Sequence, residues 1–225
     1  MTLFKMTLQQ LIPPTTSSIA FSHRVYSYYS IAIIFMLVSV LFIDRALAEY
    51  LHQLKPHSPI LNTCYLLLSK IPLALEVLAG VIILSGLFNQ YRVNVKQLIK
   101  PIIYVVIAAS VIRVSAKVIF GRTWPETWTN NNPSWIEHGV EAFYPFSMSV
   151  SYHSFPSGHA LFTFALASLF WHFMPKLYWL WISLMVGVII GQLAQNYHYL
   201  GDLLAGAILG ILITQLVVNL IDKRK

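Results

Sequence analysis

From Tyr26 onward the chain alternates long apolar runs with short polar breaks, at about 26–43, 71–88, 99–120, 158–174, 177–197 and 202–221. Each run is close to the ~20 residues an α-helix needs to cross a bilayer. The pattern predicts an all-α protein, a polytopic membrane bundle of six transmembrane helices. Polar breaks at Asn89–Lys100, Pro175-Lys176 and Tyr199–Asp202 are short enough to make sequential helices antiparallel neighbours. Two segments stand outside the six runs. Residues 44–58, with Leu47, Leu51 and Leu54 spaced along one face, predict a helix lying in the interface. The outer connection 121–157 is the one long loop, rich in aromatics and carrying Asn130-Asn131-Asn132.

Ahead of the first run, residues 1–25 are mixed, and Pro13-Pro14-Thr15-Thr16-Ser17-Ser18 breaks any long helix there. Ala46-Leu47-Ala48 imitates a signal-peptidase site, yet Asp44-Arg45 interrupts the apolar run and the polar segment ahead is long, so the run is kept as helix one. The expected organisation is a cytoplasmic segment 1–25, a membrane domain 26–221 and a basic cytoplasmic tail 222–225.

Composition sharpens the class. The 225 residues are 57% hydrophobic and 10% charged, with mean hydropathy +0.66, whereas a soluble domain carries about a quarter charged residues. This is the composition of an integral membrane protein. The net charge of +7 does not point to nucleic acid, because the basic residues gather at the ends of apolar runs, where they set orientation. Lys5, Arg24, Arg92, Lys96, Lys100, Lys176, Lys223, Arg224 and Lys225 fall on one side if six spans alternate, and that side is expected to be cytoplasmic. His159, His198, Asp202 and the long loop then share the outer face, periplasmic in a bacterium and lumenal in an organelle. The compact plan favours a bacterial inner membrane. The single cysteine, Cys64, excludes an intrachain disulfide and a thiolate metal cluster.

Three stretches carry candidate chemistry. Ser154-Phe155-Pro156-Ser157-Gly158-His159 reads as a helix start with open backbone N–H groups, a natural anion site, and His159 in its first turn can move a proton. An ordinary cap beside a chance histidine would look the same in isolation. Lys117 and Arg122 place two cations near the end of helix three, where they meet an anion or snorkel to headgroups. His198 and Asp202 pair an imidazole with a carboxylate, which fixes the tautomer and raises the basicity of the free nitrogen. Together they supply charge neutralisation, positioning, acid and nucleophile for phosphoryl transfer, with no metal and no cofactor required.

In this order and at these helix positions, over roughly residues 99–221, the chain resembles the type 2 phosphatidic-acid phosphatase family, which shares its site with the vanadium haloperoxidases. The family pattern is Lys-x6-Arg-Pro, Pro-Ser-Gly-His and Ser-Arg-x5-His-x3-Asp. The resemblance implies that His198 is a nucleophile forming a phosphohistidine, that Asp202 orients it, and that His159 protonates the leaving alcohol and later activates water. It implies that Lys117, Ser157 and the Gly158 amide hold the phosphoryl oxygens. Two departures stand out: Trp124 replaces the first arginine, and Gly191-Gln192 replaces Ser-Arg. Each lost guanidinium removes a bidentate clamp. Either Arg122 swings in and Gln192 donates neutral hydrogen bonds, or the site binds lipid phosphates without hydrolysing them.

Glu76 and Arg113, at similar depth in helices two and three, are expected to form an intramembrane ion pair supporting the site. Arg113 also lies one turn from Lys117 and adds positive potential. The loop aromatics are expected to form an interfacial belt or a lid, with His153 adding a titratable contact. The expected activity is therefore removal of phosphate from a lipid monophosphate or diphosphate at the outer face. By resemblance, the candidate substrates are polyprenyl diphosphate, lipid A phosphate, phosphatidylglycerol phosphate and phosphatidate. The expected partners are the lipid substrate and membrane lipids, with no obligate protein partner. A phosphotransferase passing phosphate between lipids and an impaired lipid-phosphate binder are the alternatives. A transporter fits less well, because the ionisable residues cluster at one face.

Overall fold

The computed structural model describes residues 23–55, 58–86, 92–128 and 131–223. Most of the expected segment 1–25 and the last two tail residues lie outside them. Among the described residues there is no strand, only isolated bridges within the outer loop.

Helix one is longer than its apolar run. α1 (His23–Val38) passes through a π-helical turn, Ser39–Ile43, straight into α2 (Asp44–Gln53), giving an unbroken apolar stretch of 29 residues from Val25 to Gln53. The expected interfacial helix at 44–58 is therefore not a separate element. Asp44 prevents the chain from turning flat there: its Oδ1 accepts from Ser39 Oγ at 2.8 Å and from the Gly201 backbone N at 2.9 Å, inside the bundle. The π-turn accommodates this anchor one turn ahead of it.

α3 (Pro59–Ser69), absent from the expected elements, and α4 (Ile71–Ser85) meet at a 43° bend around Lys70. Pro72 at the start of α4 withholds the N–H that would continue the ladder across the joint. α5 (Arg92–Phe120) stops at Gly121, whose φ of +58° is a left-handed cap. A side chain there would place its Cβ 1.9 Å from the Tyr144 carbonyl oxygen. The outer loop holds the one-turn α6 (Trp135–His138), followed by α7 (Gly158–Phe173), α8 (Tyr178–Ala194) and α9 (Leu200–Asp222).

By length and composition four described helices can cross a membrane, or five if the bent α3–α4 pair is one span. The expected count of six does not follow from this measure. α7 has 16 residues, about 24 Å of helix, against a hydrocarbon core of ~30 Å. It is short because it starts only at Gly158, beside the candidate site. The chain is an integral membrane protein all the same: Ile31, Phe35, Leu41 and Phe42 on the first helix, and Val111 and Val114 on α5, are exposed apolar side chains on spanning helices.

α7 is the hub. Leu161, Leu166, Leu169 and Phe170 are fully buried and join Ile102 and Val105 of α5, Val188 of α8 and Ile213 of α9 in one core. α9 lies closest to it. A Cβ on Gly206 would meet the Ser157 carbonyl oxygen at 2.4 Å, and one on Gly210 would meet that of Leu161 at 2.5 Å. Thr214 Oγ1 donates to the Ala165 carbonyl at 2.7 Å along the same seam.

Candidate active site

His198 sits on the turn between α8 and α9, and Asp202 in the first turn of α9. The Asp202 carboxylate caps α9 by accepting from the Tyr199 backbone N at 3.1 Å. The same Oδ2 lies 3.3 Å from His198 Nδ1 and accepts from Ser154 Oγ at 2.5 Å. With Nδ1 donating to the carboxylate, Nε2 of His198 carries the lone pair. Burial pushes the His198 pKa below its ordinary 6.5, against the opposing pull of Asp202, so the ring is held neutral.

His198 lines a cavity of about 570 Å³ together with Lys117, His159, Gly158, Gln192, Glu76 and Arg113. The His159 ring is 6.3 Å from the His198 ring, centroid to centroid. Trp124 packs against His198 at 5.1 Å, and the Lys117 ammonium sits 5.4 Å over the same indole. Lys117 Nζ also donates to the His153 carbonyl oxygen. His198, His159 and Lys117 thus line one cavity. Among the described residues no group of three or more His, Cys, Asp or Glu side chains is placed to hold a metal ion.

Other expected site residues stand elsewhere. Arg122 does not swing toward the cavity. It is fully buried, with Nη1 2.8 Å from Asp44 Oδ2 and 2.7 Å from Asp202 Oδ1, and Nη2 2.8 Å from Glu141 Oε1. Burial works against its charge, yet Asp202, Asp44 and Glu141 outweigh it and hold the guanidinium ionised. Three carboxylates out-compete any cavity anion for it, and Tyr199 covers its face at 4.2 Å. Ser157 is buried as the N-cap of α7, its Oγ accepting from Ala160 N at 3.4 Å. It does not line the cavity, whereas Gly158 does. Gln192 lines it, with one N–H of its Nε2 donated to Ser69 Oγ at 2.5 Å, so a single neutral N–H is left where the family pattern has a guanidinium. Glu76 and Arg113 line the cavity together without the expected direct ion pair: the two groups interact electrostatically, but no N···O contact within 4 Å joins them. The His153 ring turns into the loop, toward the Ser147 carbonyl at 3.1 Å.

The loop reaches the cavity through Trp124 and Trp128, and Trp128 meets Tyr197 edge-on at 4.5 Å. Glu126 fastens this part of the loop. Burial alone would raise its pKa, but hydrogen bonds from Lys55, Asn196 and His52 outweigh it and hold the carboxyl below the usual range. On the membrane side a second cavity of about 440 Å³, lined by Ala79, Ile83, Ile103, Val106 and Ile107, runs between α4 and α5 and shares Glu76, Arg113 and Phe162 with the first.

Residues 99–225 match the PAP2 superfamily, the greater part of the chain. The chain belongs to this superfamily. A curated relative, the bacitracin transport permease protein BcrC of Bacillus licheniformis, is 32% identical over 114 residues, which spans 49% of this chain and 51% of that protein. The alignment thus covers about half the length of each. A solved structure, the transmembrane PAP2-type phosphatidylglycerolphosphate phosphatase of Bacillus subtilis, shares the fold with a TM-score of 0.52 at 18% identity, covering 88% of this chain and 97% of that one.

Asp44, Glu141 and Ser154, which act on Asp202 directly or through Arg122, were not singled out by the motifs. Asp44 had a signal: a carboxylate interrupting an apolar run has to find a partner. Ser154 opens the motif stretch but precedes the Pro156–His159 positions that the family pattern names. For Glu141, in the irregular loop, the chain offers no pattern.

Proposed function

We propose that this protein is a lipid phosphatase that removes phosphate from a lipid monophosphate or diphosphate at the outer, periplasmic face of a bacterial inner membrane. The observation that carries this reading is the His198 Nδ1–Asp202 contact at 3.3 Å set in one cavity with His159 and Lys117. Nε2 of His198 attacks phosphorus as the bond to the leaving oxygen breaks, and His159 gives that oxygen its proton. His159 then takes a proton from water, whose oxygen attacks phosphorus, breaking the P–N bond and freeing phosphate and neutral His198. Lys117 and the Gly158 amide neutralise the developing charge on the phosphoryl oxygens. The apolar cavity between α4 and α5 takes the lipid tail, and the loop carrying Trp124 and Trp128 lies against the headgroup.

Phosphate release by the purified protein from a panel of lipid monophosphates and diphosphates, with His198→Ala in parallel, tests the reading. Release that falls at least ~10²-fold in the variant is expected. Folded protein that releases nothing from any lipid would refute hydrolysis. Water is the acceptor in this reading. A phosphotransferase would instead deliver the labelled phosphate to a second lipid in the same assay.

A further inference from the structure

The superfamily cradle lacks two guanidinium groups here, because Trp124 and Gln192 carry no charge and Arg122 is locked among carboxylates. A phosphate dianion in a partly apolar cavity still has to be neutralised. We propose that Arg113, entering from below on α5, is the phosphate-binding arginine of this site. The inference rests on the lipid-phosphate reading above and names a residue outside the motif positions.

The geometry of Arg113 joins it to the Pro-Ser-Gly-His helix start. A Cβ built on Gly158 would lie 2.8 Å from Arg113 Cδ and 3.7 Å from its Nη1. The guanidinium therefore rests against the residue whose amide opens the α7 N-terminus, and any side chain at 158 would displace it. Phe162, one turn further along α7, supports the guanidinium face at 5.4 Å. Arg113 is one helical turn below Lys117, so both cations project from the same side of α5. Among the described residues no carboxylate oxygen lies within 4 Å of Arg113, although Glu76 lines the same cavity. A guanidinium inside a membrane bundle without a close counter-ion is costly unless an anion comes to it.

The cavity's charges fit that guest. Lys70, Arg113 and Lys117 line it with Glu76, leaving two net positive charges, apart from the histidines, for a phosphate monoester dianion. Arg113 also lines the apolar cavity between α4 and α5. It stands where a headgroup phosphate would meet its tail.

The test uses the full chain in detergent and orthovanadate as the probe, measured by direct binding, beside phosphate release. Removing one charge-assisted clamp, Arg113→Gln, is expected to weaken orthovanadate binding about 10- to 100-fold. Arg113→Lys, which keeps the charge and loses the fork, should fall between the two. The decisive variant is the double change Arg113→Gln/Gln192→Arg, which returns a guanidinium at the superfamily position and is expected to recover at least tenfold of a hundredfold loss. Binding within twofold of wild type in Arg113→Gln would overturn the proposal. So would an equal loss in Arg113→Gln and the double variant, because that is the behaviour of a packing residue. The function reading fails separately: wild type that binds orthovanadate but releases no lipid phosphate would refute hydrolysis and leave the Arg113 comparison readable.

Discussion

Removing Arg122 should unfasten the site without touching the cavity. Its guanidinium is the shared counter-ion of Asp44, Glu141 and Asp202, with contacts of 2.7–2.8 Å to all three. Arg122→Met keeps much of the volume and leaves Asp44 and Asp202 in a space sealed from water, while Glu141 keeps its pair with Arg45. Breaking one buried pair from one side costs about 3–5 kcal/mol, because the remaining charge has no compensation. At 2–4 °C per kcal/mol for a chain of this size, the melting temperature should fall by roughly 6–20 °C. Asp44→Asn provides the control. In wild type it removes a partner from Arg122 and should destabilise. In the Arg122→Met background it removes a stranded charge and should cost far less, or stabilise. Thermal unfolding of the four proteins in one detergent gives the coupling directly. Phosphate release should drop with Arg122→Met, since Asp202 no longer holds His198 from a fixed position. A fall in melting temperature under about 3 °C, with additive effects in the double variant, would refute the account of Arg122 as the counter-ion at this site.

Two further outcomes follow from titrating groups outside the spanning helices. In the proposed mechanism His198 must be neutral to attack, and burial sets its pKa below 6.5, so the acid limb of kcat/KM that reports its protonation should lie below 6.5; an acid limb centred above 6.5 would contradict the assignment. Glu126 has a depressed pKa, so its contribution is fully present above its ordinary 4.5 and is lost as pH falls through the lower folded value. Glu126→Gln should therefore lower stability by about 1.5–3 kcal/mol near pH 7. The gap in melting temperature between the two proteins should close as pH drops below 4.5, and a gap independent of pH would count against the charge of Glu126.

What the sequence made legible is what periodicity and local motifs encode. The apolar runs located α8 and α9 within three residues and the end of α5 at Phe120, although α5 begins at Arg92, inside the expected polar turn, and the spacing of Pro156, Ser157, Gly158 and His159 marked the start of α7. His198 and Asp202, four residues apart, make their contact within one turn and so needed no tertiary knowledge. The role of Arg122 was not legible, because it depends on what lies across the bundle, whereas Ser157 is a local N-cap, a reading the sequence left open. Arg122 finds Asp44, 78 positions earlier in the chain, and Asp202, 80 positions later, pairings that no local pattern announces. The helix at 59–69 was missed because Asn62 and Thr63 break its apolar pattern; Asn62 instead accepts from Gln195 at 2.8 Å.

The glycine seam between α7 and α9 has a kinetic consequence. Gly206 and Gly210 let the two backbones touch, and such small-residue contacts leave little room for sliding. His159 lies in the first turn of α7 and His198 on the turn that leads into α9, so in the proposed mechanism the seam holds the two imidazoles at a steady separation as a lipid arrives. In the proposed function, admission of the tail and departure of the dephosphorylated product would then fall to the other wall, where the α3–α4 pair bends by 43° at Lys70. Turnover would be limited by how readily that bent wall opens, and changes in bilayer thickness or fluidity would alter rate while leaving the chemistry of His198 untouched.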